Sequence, residues 1–300
     1  MECFLDDLIE LEGNGSEELI KRVILKNINT HVTSEQIISF SRKSGREIKE
    51  KLKGAINING AGGTGFIKPN LSSLVALYIG LSIDRIIVKT GSGFSTGIWG
   101  SSNFFNKLGL MDCRKREYIY QKYGFAYYDY LEVSPWKRYK DLLRNNKYLN
   151  KLFRKIIFFD YRPSYYFLGV NSPLCYEGLK KLRLENMPSN KLITFYSVVN
   201  SMIVDELMSG QVYVDNKLVL NEDSEGIIWN RSDIKKLQKV NMELLVGTSD
   251  DYWKKCLKLS YSIIVMNLGL ASEMYEACEM FDKVYKDKKV MKMLKEINVL

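Results

Sequence analysis

The sequence predicts an α/β protein, in which a helical N-terminal region precedes a mostly parallel sheet flanked by helices. Three observations carry that prediction. Up to Ala55 apolar residues recur at helical spacing between short polar breaks. Beyond Ala55, short apolar and β-branched runs ending in glycine alternate with helical stretches, the pattern of parallel strands joined by crossover helices. One of those runs opens into "GAGGTG", with four glycines between Gly60 and Gly65.

Taken in order, "SEELIKRVILKN", "TSEQIISFSRKS" and "REIKEKLKGA" read as helices, with Ser16 and Thr33 at N-cap positions and polar groups from Ser34 to Gln36 in the first turn. "AINING" reads as a strand, "NLSSLVALYIGLS" as a helix, "DRIIVKTGSG" as a strand and "SSNFFNKLGL" as a helix. From Met111 to Asp160 the chain is rich in Tyr, Lys and Arg, and "WKRYKDLLRNNKYLNKLFRK" suggests one or two basic helices, most of whose charges form a solvated face. "LITFYSV" reads as a strand, and "QVYVDNKLVL" as a hairpin whose Asp215-Asn216 turn tolerates positive φ. Three amphipathic helices, starting at Ser232, Ser249 and Ser272, close the chain. There is no internal repeat and no low-complexity linker.

Cys3, Cys113, Cys175, Cys256 and Cys278 are odd in number, scattered and never spaced as C-x-x-C, which argues against a disulfide framework or a zinc site and for a reducing, cytoplasmic compartment. The acidic start "MECFLDDLIELEG" is not a signal peptide, and "LVALYIGLS" and "SIIVMNLGLA" are too short to span a bilayer, so a soluble protein with no membrane partner is expected. The net charge of +9 favours anionic partners, phosphorylated metabolites or nucleic acid, although it also serves solubility alone.

Glycine at Gly60, Gly62, Gly63 and Gly65 removes the Cβ atoms that would hold a bulky anion away from peptide N–H groups. Asn70 and Ser72 then begin a helix, whose unpaired N–H groups and positive dipole end favour the same anion. An ordinary βα turn has a similar composition, so the loop alone is a weak signal.

The ordered set is more specific. "GAGGTG" followed by "NLSS", then "VKTGSGFST", then "GSSNFFNKLG" resembles the anthranilate phosphoribosyltransferase and pyrimidine nucleoside phosphorylase superfamily. Its members carry G-T-G-G-D-G, N-I-S-T, K-H-G-N-R, a serine pair and G-S-x-D-x-L-x-x-L-G in that order. "RPSYYFLGVNSP" is similar to the family's R-T-x-F-N-x-L-G-P-L-x-N-P, "VDELMSG" to its G-L-D-E-x-S-x-x-G, and the helices from Asn241 to its closing segment. The resemblance implies a small helical domain, 1–56 joined by helices within about 134–156, and a large α/β phosphoribosyl-binding domain over 57–300. Family members bind phosphoribosyl pyrophosphate, or a nucleoside with phosphate, between two such domains, and dimerise through the helical one.

Carried over, the resemblance implies that Gly60, Gly62, Gly63, Thr64 and Gly65 line the pyrophosphate, and that Asn70, Ser72 and Ser73 bind phosphate at the helix start. Lys89 adds positive charge, and Ser95 and Thr96 take the place of the serine pair. Arg162 is the acceptor-side candidate, and Ser72, Asp205 and Glu206 are the candidate Mg²⁺ ligands. Hard oxygen ligands suit Mg²⁺, which neutralises a pyrophosphate leaving group. Each position also has a bland reading: Lys89 as a strand-end lysine snorkelling to water, and Asp205-Glu206 as a solvated turn. If the two carboxylates lie side by side, Asp205→Asn relieves repulsion and leaves stability nearly unchanged.

The departures are equally specific. Ala61, Thr64 and Thr90 stand where the family has Thr, Asp and His, and Ser92-Gly93 replaces its Asn-Arg pair. The single histidine, His31, lies in the helical region, so imidazole acid–base chemistry at these motifs is excluded. Transfer through an oxocarbenium-like state still needs mainly positioning and charge neutralisation. The resemblance therefore implies Mg²⁺-dependent phosphoribosyl transfer to an unidentified nitrogenous, aromatic-type acceptor by a homodimer, with Leu19, Ile20, Val23 and Ile24 as a stripe that either forms the dimer contact or packs inside the subunit. The alternatives are a nucleic-acid-binding homologue without transferase activity, suggested by the basic run, and a nucleoside phosphorylase.

Overall fold

The computed structural model describes residues 4–14, 16–33, 36, 55–60, 67–91, 99–129, 142, 164–170, 191–222, 227, 229, 233–249 and 251–298. The chain divides into two compact units, one of Met1–Lys53, Tyr130–Arg162 and Ser172–Lys191, the other of Gly54–Asp129, Pro163–Asn171 and Leu192–Leu300.

In the first unit, helices α1 (Phe4–Asn14) and α2 (Glu17–Lys26) lie against each other. Ser16 caps α2 through a 3.2 Å bond from the Leu19 N–H, as its position predicts. Thr33 and Gln36 exchange backbone-to-side-chain bonds, the reciprocal pattern of a capping box. The apolar stripe expected at a dimer contact is divided: Ile20 and Ile24 are buried within the subunit and Leu19 is exposed. Helix α1 falls within the region read as helical, although it was not singled out as a separate helix. "REIKEKLKG" and the basic run lie outside the described residues apart from Leu142.

The second unit is built on a mixed sheet, eight-stranded among the described residues. Strands β1 (Ile56–Asn59), β2 (Ile87–Gly91), β3 (Phe125–Asp129) and β4 (Tyr165–Gly169) are parallel in the order β3-β2-β1-β4. Beyond β4 come β5 (Lys191–Val199), β7 (Gln211–Val214) and β8 (Lys217–Asn221), antiparallel to one another in turn, and β6 (Met202–Val204) folds back on β5. The four parallel strands therefore end on one edge, and β1 sits where the order reverses, the place at which α/β sheets leave a crevice for ligands.

Helix α3 (Leu71–Gly80) connects β1 to β2 and is buried at all ten positions, as a helix apolar on every side must be. Tyr78 on α3 stacks at 5.6 Å on Tyr285 and donates a 2.7 Å bond to the Leu244 carbonyl. Helix α4 (Ser101–Lys107) follows β2 as expected. Helix α5 (Cys113–Tyr123), capped by Asp112 and stopped by left-handed Gly124, and strand β3 after it were not singled out in the Tyr- and Lys-rich stretch. Local composition masked the apolar face that tertiary packing uses.

The Asp215-Asn216 turn has φ of 47° and 62°, as expected. A second such turn at Asn200-Ser201, with φ of 48° and 62°, joins β5 to β6 and was not anticipated. The C-terminal region holds four described helices rather than three: α6 (Ile234–Val246), α7 (Asp251–Asn267), α8 (Met274–Lys286) and α9 (Lys289–Asn298). The predicted third helix is broken at Lys288, whose φ of 50° leaves the right-handed helical region. Helices α6, α7 and α8 begin about two residues after the serines at which they were expected to start. Asp233 and Glu273 hold the N-cap positions of α6 and α8, and Ser272 instead donates to Glu276 from its N–H and its hydroxyl. Among the described residues no helix is long and apolar enough to cross a membrane.

The start of α3 is anchored to α6 by a reciprocal pair: the Asn70 N–H donates to Asn241 Oδ1 at 2.9 Å, and Asn241 Nδ2 returns a 2.9 Å bond to Asn70 Oδ1. Asn241→Leu removes both bonds and leaves a partly buried N–H unsatisfied, so a loss of about 1–3 kcal/mol is expected. At roughly 2–4 °C per kcal/mol for a domain of this size, thermal denaturation checks it.

Candidate functional site

Strand β1 reads Ile-Asn-Ile-Asn, and all four residues are buried. The two asparagines, two positions apart, share one side of the strand. Asn59 Nδ2 donates at 2.6 Å to Asn57 Oδ1 and at 2.6 Å to Thr90 Oγ1 on β2. Its Oδ1 accepts from the Thr90 N–H and from Lys89 Nζ, each at 3.1 Å. Lys89 also donates to the Thr90 carbonyl at 3.1 Å, and it is only 2% exposed. The snorkelling reading of Lys89 therefore fails: the lysine turns inward and a buried amide aims it. Burial pulls its pKa below the ordinary lysine value, and Glu206 and Asp205 oppose that shift only in part.

Three further segments meet beside the end of β1. Gly60 ends the described part of the glycine loop. Lys68 stands two residues before the α3 N-cap, on a stretch held by Ile67, which exchanges backbone bonds with Trp229 at 3.2 and 3.4 Å. Asp205 and Glu206 leave β6 on a loop that Ser197 pins, its hydroxyl bonding both the N–H and the carbonyl of Met208.

Lys68 Nζ lies 3.0 Å from Asp205 Oδ1 and 4.0 Å from Glu206 Oε1, and Ser72 Oγ donates to Glu206 Oε1 at 3.0 Å. Asp205 is 1% exposed and Glu206 5%, so the solvated-turn reading of the pair is overturned. Burial lowers the Lys68 pKa, but Asp205 and Glu206 together outweigh it and raise the value, so Lys68 carries a full charge. Burial raises Glu206; Lys68 opposes the rise and Asp205 adds to it.

Two glycines make this approach possible. A Cβ on Gly60 would stand 2.9 Å from Glu206 Oε1 and 3.0 Å from Asp205 Oδ2, so the carboxylate ends would have to shift. A Cβ on Gly169, at the end of β4, would overlap the Asp205 carbonyl oxygen. Gly60 thus has a structural role that the anion-loop reading did not assign to it: it leaves room for the carboxylates.

A second buried cluster lies at the end of β3. Ser102 Oγ donates to Asp129 Oδ2 at 2.5 Å and shares a 2.7 Å bond with the Tyr127 hydroxyl, and nearby Ser73 Oγ donates to Ser101 Oγ at 3.2 Å.

The structure therefore brings together Gly60, Asn70, Ser72, Lys89, Asp205 and Glu206, with Ser73 beside Ser101. Gly62, Gly63, Thr64, Gly65, Ser95, Thr96 and Arg162 lie outside the described residues. Sequence reasoning missed Asn57, Asn59, Lys68 and Asp129. A signal existed for the asparagines, since two amides at alternate positions of an interior strand must find partners. None existed for Lys68, whose partners lie more than a hundred residues away.

For a divalent ion, Asp205, Glu206 and Ser72 offer hard oxygens, which suits Mg²⁺. No third acid, histidine or cysteine joins them among the described residues, and Lys68 already supplies one positive charge.

No protein-family model matches the chain, and no curated protein sequence matches it. Solved structures do. The anthranilate phosphoribosyltransferase of Thermus thermophilus superposes with a TM-score of 0.70 at 15% identity, over 98% of this chain and 93% of that one. The enzyme from Saccharomyces cerevisiae in complex with phosphoribosyl pyrophosphate and Mg gives 0.68 at 14% identity, over 99% and 92%. The same enzyme in complex with 4-fluoroanthranilate gives 0.66 at 14%, over 99% and 93%. At such identities the likeness is one of fold: the chain has the fold of the anthranilate phosphoribosyltransferases.

The ion pair reverses the expected effect of Asp205→Asn. With the carboxylate buried against Lys68, the substitution leaves an ammonium short of a partner, and a loss of about 3–5 kcal/mol replaces the near-neutral outcome. Gly60→Ala should also destabilise, by forcing the carboxylates aside. Denaturant unfolding of both variants reads the two effects.

Proposed function

We propose that this chain is a phosphoribosyltransferase-type enzyme, which binds phosphoribosyl pyrophosphate or a related phosphorylated sugar at the ends of the parallel strands and transfers the ribosyl unit to a nitrogenous acceptor. The observation that carries the reading is the buried Asn59–Lys89 pair lying at the strand ends beside Gly60, Ser72, Asp205 and Glu206. Purely structural lysines rarely lose all contact with water. The fold shared with an enzyme solved with phosphoribosyl pyrophosphate and Mg supports this reading.

In this reading C1 of the sugar loses its bond to pyrophosphate, which departs with the electron pair, while the acceptor nitrogen forms the new bond and gives up a proton. Lys89, held by Asn59 and the Thr90 carbonyl, presents a fixed ammonium to the departing charge. The backbone of Gly60, Gly62, Gly63, Thr64 and Gly65, the α3 start at Asn70, Ser72 and Ser73, and Ser95 with Thr96 hold the phosphate oxygens. Arg162 is the acceptor-side residue. Mg²⁺, held by Asp205, Glu206 and Ser72, would supply further charge neutralisation to the pyrophosphate. A homodimer through the helical unit, where Leu19 is 40% exposed, belongs to the same reading. So does a cytoplasmic location, with Cys113, Cys256 and Cys278 as free thiols. The basic run lies outside the described residues and no observation in the structure favours nucleic acid.

Phosphoribosyl pyrophosphate with Mg²⁺ at a hundred times its dissociation constant should stabilise the chain by about 2.7 kcal/mol, a melting shift of roughly 5–10 °C. No shift, in a protein that is folded, removes the reading. The pH dependence is specific. Only charged Lys89 attracts an anion, so affinity should fall as pH rises through its lowered pKa, beginning below the ordinary lysine value of 10.5. Calorimetric titration of pyrophosphate from pH 7 upward tests this. The fall should be absent from Lys89→Met, which binds weakly at every pH.

A further inference from the structure

The acidic pair at the end of β6 already holds a cation of its own. Lys68 Nζ lies 3.0 Å from Asp205 Oδ1, with Glu206 Oε1 at 4.0 Å, and the lysine side chain is only 10% exposed. The segment that carries it is fixed on both sides. Ile67 is bridged to Trp229, and Asn70 is bonded to Asn241. The ammonium is therefore delivered by anchored backbone and is not a surface side chain that has strayed inward. Glu206 spends one lone pair on Ser72, and the ends of both carboxylates fill the space that the missing side chain of Gly60 leaves.

Both carboxylates face the Lys68 ammonium, and the Lys89 ammonium is buried in the same surroundings, so the cluster approaches charge balance without a metal. A divalent ion placed on these oxygens would stand within several ångströms of Lys68, in an interior where like charges repel strongly.

We propose that Lys68 is the resident counter-ion of Asp205 and Glu206, so that a divalent cation gains this site only by displacing the Lys68 ammonium. The inference concerns the same residues as the proposed transferase site but requires neither sugar binding nor turnover. It stands or falls by metal binding alone, and phosphoribosyl pyrophosphate binding tests the transferase reading separately. Its consequence is that the acid pair stays folded and neutralised without metal. A freed Lys68, on its long flexible stem, then becomes an additional cation for whatever anion enters with the metal.

The test is titration with Mn²⁺, followed by its electron paramagnetic resonance signal at low ionic strength, on the parent, Lys68→Met and Lys68→Gln. Lys68→Met should bind Mn²⁺ at least tenfold more tightly than the parent, and adding Asp205→Asn to it should abolish the gain. The neutral variants should also melt lower than the parent in metal-free buffer and recover with millimolar Mn²⁺ or Mg²⁺, a rescue the parent does not show. Equal Mn²⁺ affinity in the parent and the Lys68 variants overturns the proposal. If the variants fold only when divalent ion is present, the proposal is supported; if they remain unfolded at every divalent concentration, it is overturned.

Discussion

The constraint on which the rest of this structure depends is the removal of two carboxylates and two ammoniums from water at one end of the parallel strands. Charges buried this far survive only if each has a partner and its remaining lone pairs are satisfied. Asp205 has Lys68, Glu206 has Ser72 and the more distant Lys68, and Lys89 has Asn59 and a backbone carbonyl. Several residues with no chemistry of their own are fixed by this requirement. A side chain at Gly169 would overlap the backbone of the acidic loop, and one at Gly60 would push the two carboxylate ends aside. Ser197 ties that loop to β5, and Asn241 ties the start of α3 to α6, so that donors and acceptors arrive already oriented.

The sheet supplies the geometry for that convergence. Four parallel strands deliver Asn59, Lys89, Asp129 and Gly169 toward a common end of the sheet, beside the point where strand order reverses. The antiparallel half contributes differently. A tight turn at Asn200-Ser201 doubles β6 back along β5, and the acidic pair leaves β6 toward the glycine and the lysine. A fully buried α3, apolar beyond its first turn, holds Ser72 and Ser73 rigidly. Charge-bearing groups are thus set on strand ends and a buried helix start, where little rotamer freedom remains to be lost when an anion binds.

The errors of the sequence reading share a cause. Strand β3 and helix α5 lie in a stretch whose tyrosines and lysines suggest a solvated surface, yet Phe125, Ala126 and Tyr127 are buried, with Tyr127 stacked on Phe105 at 4.2 Å. The closing helix breaks at a lysine with positive φ, which no residue-type rule flags. Lys89 and Asp205 were given exposed alternatives because lone charges usually are exposed. The bland reading assumed no partners, and partners are what a sequence does not display.

The sequence by itself determined the alternation of strand and helix from Ile56 to Lys107, the Asp215-Asn216 hairpin, the Ser16 cap and the identity of the motif residues, because these depend on local periodicity, turn chemistry and order along the chain. It also named Ser72, Lys89, Asp205 and Glu206 as residues to watch. Only the tertiary structure decided what they face. Lys68 lies 137 positions before Asp205 by their numbers, and Asn59 lies 30 before Lys89. Contacts at such separations leave no periodic trace, since they are set by strand order and by the two glycines that let the segments close. That is why the cation beside the acid pair, a lysine of this chain, became visible only in the fold.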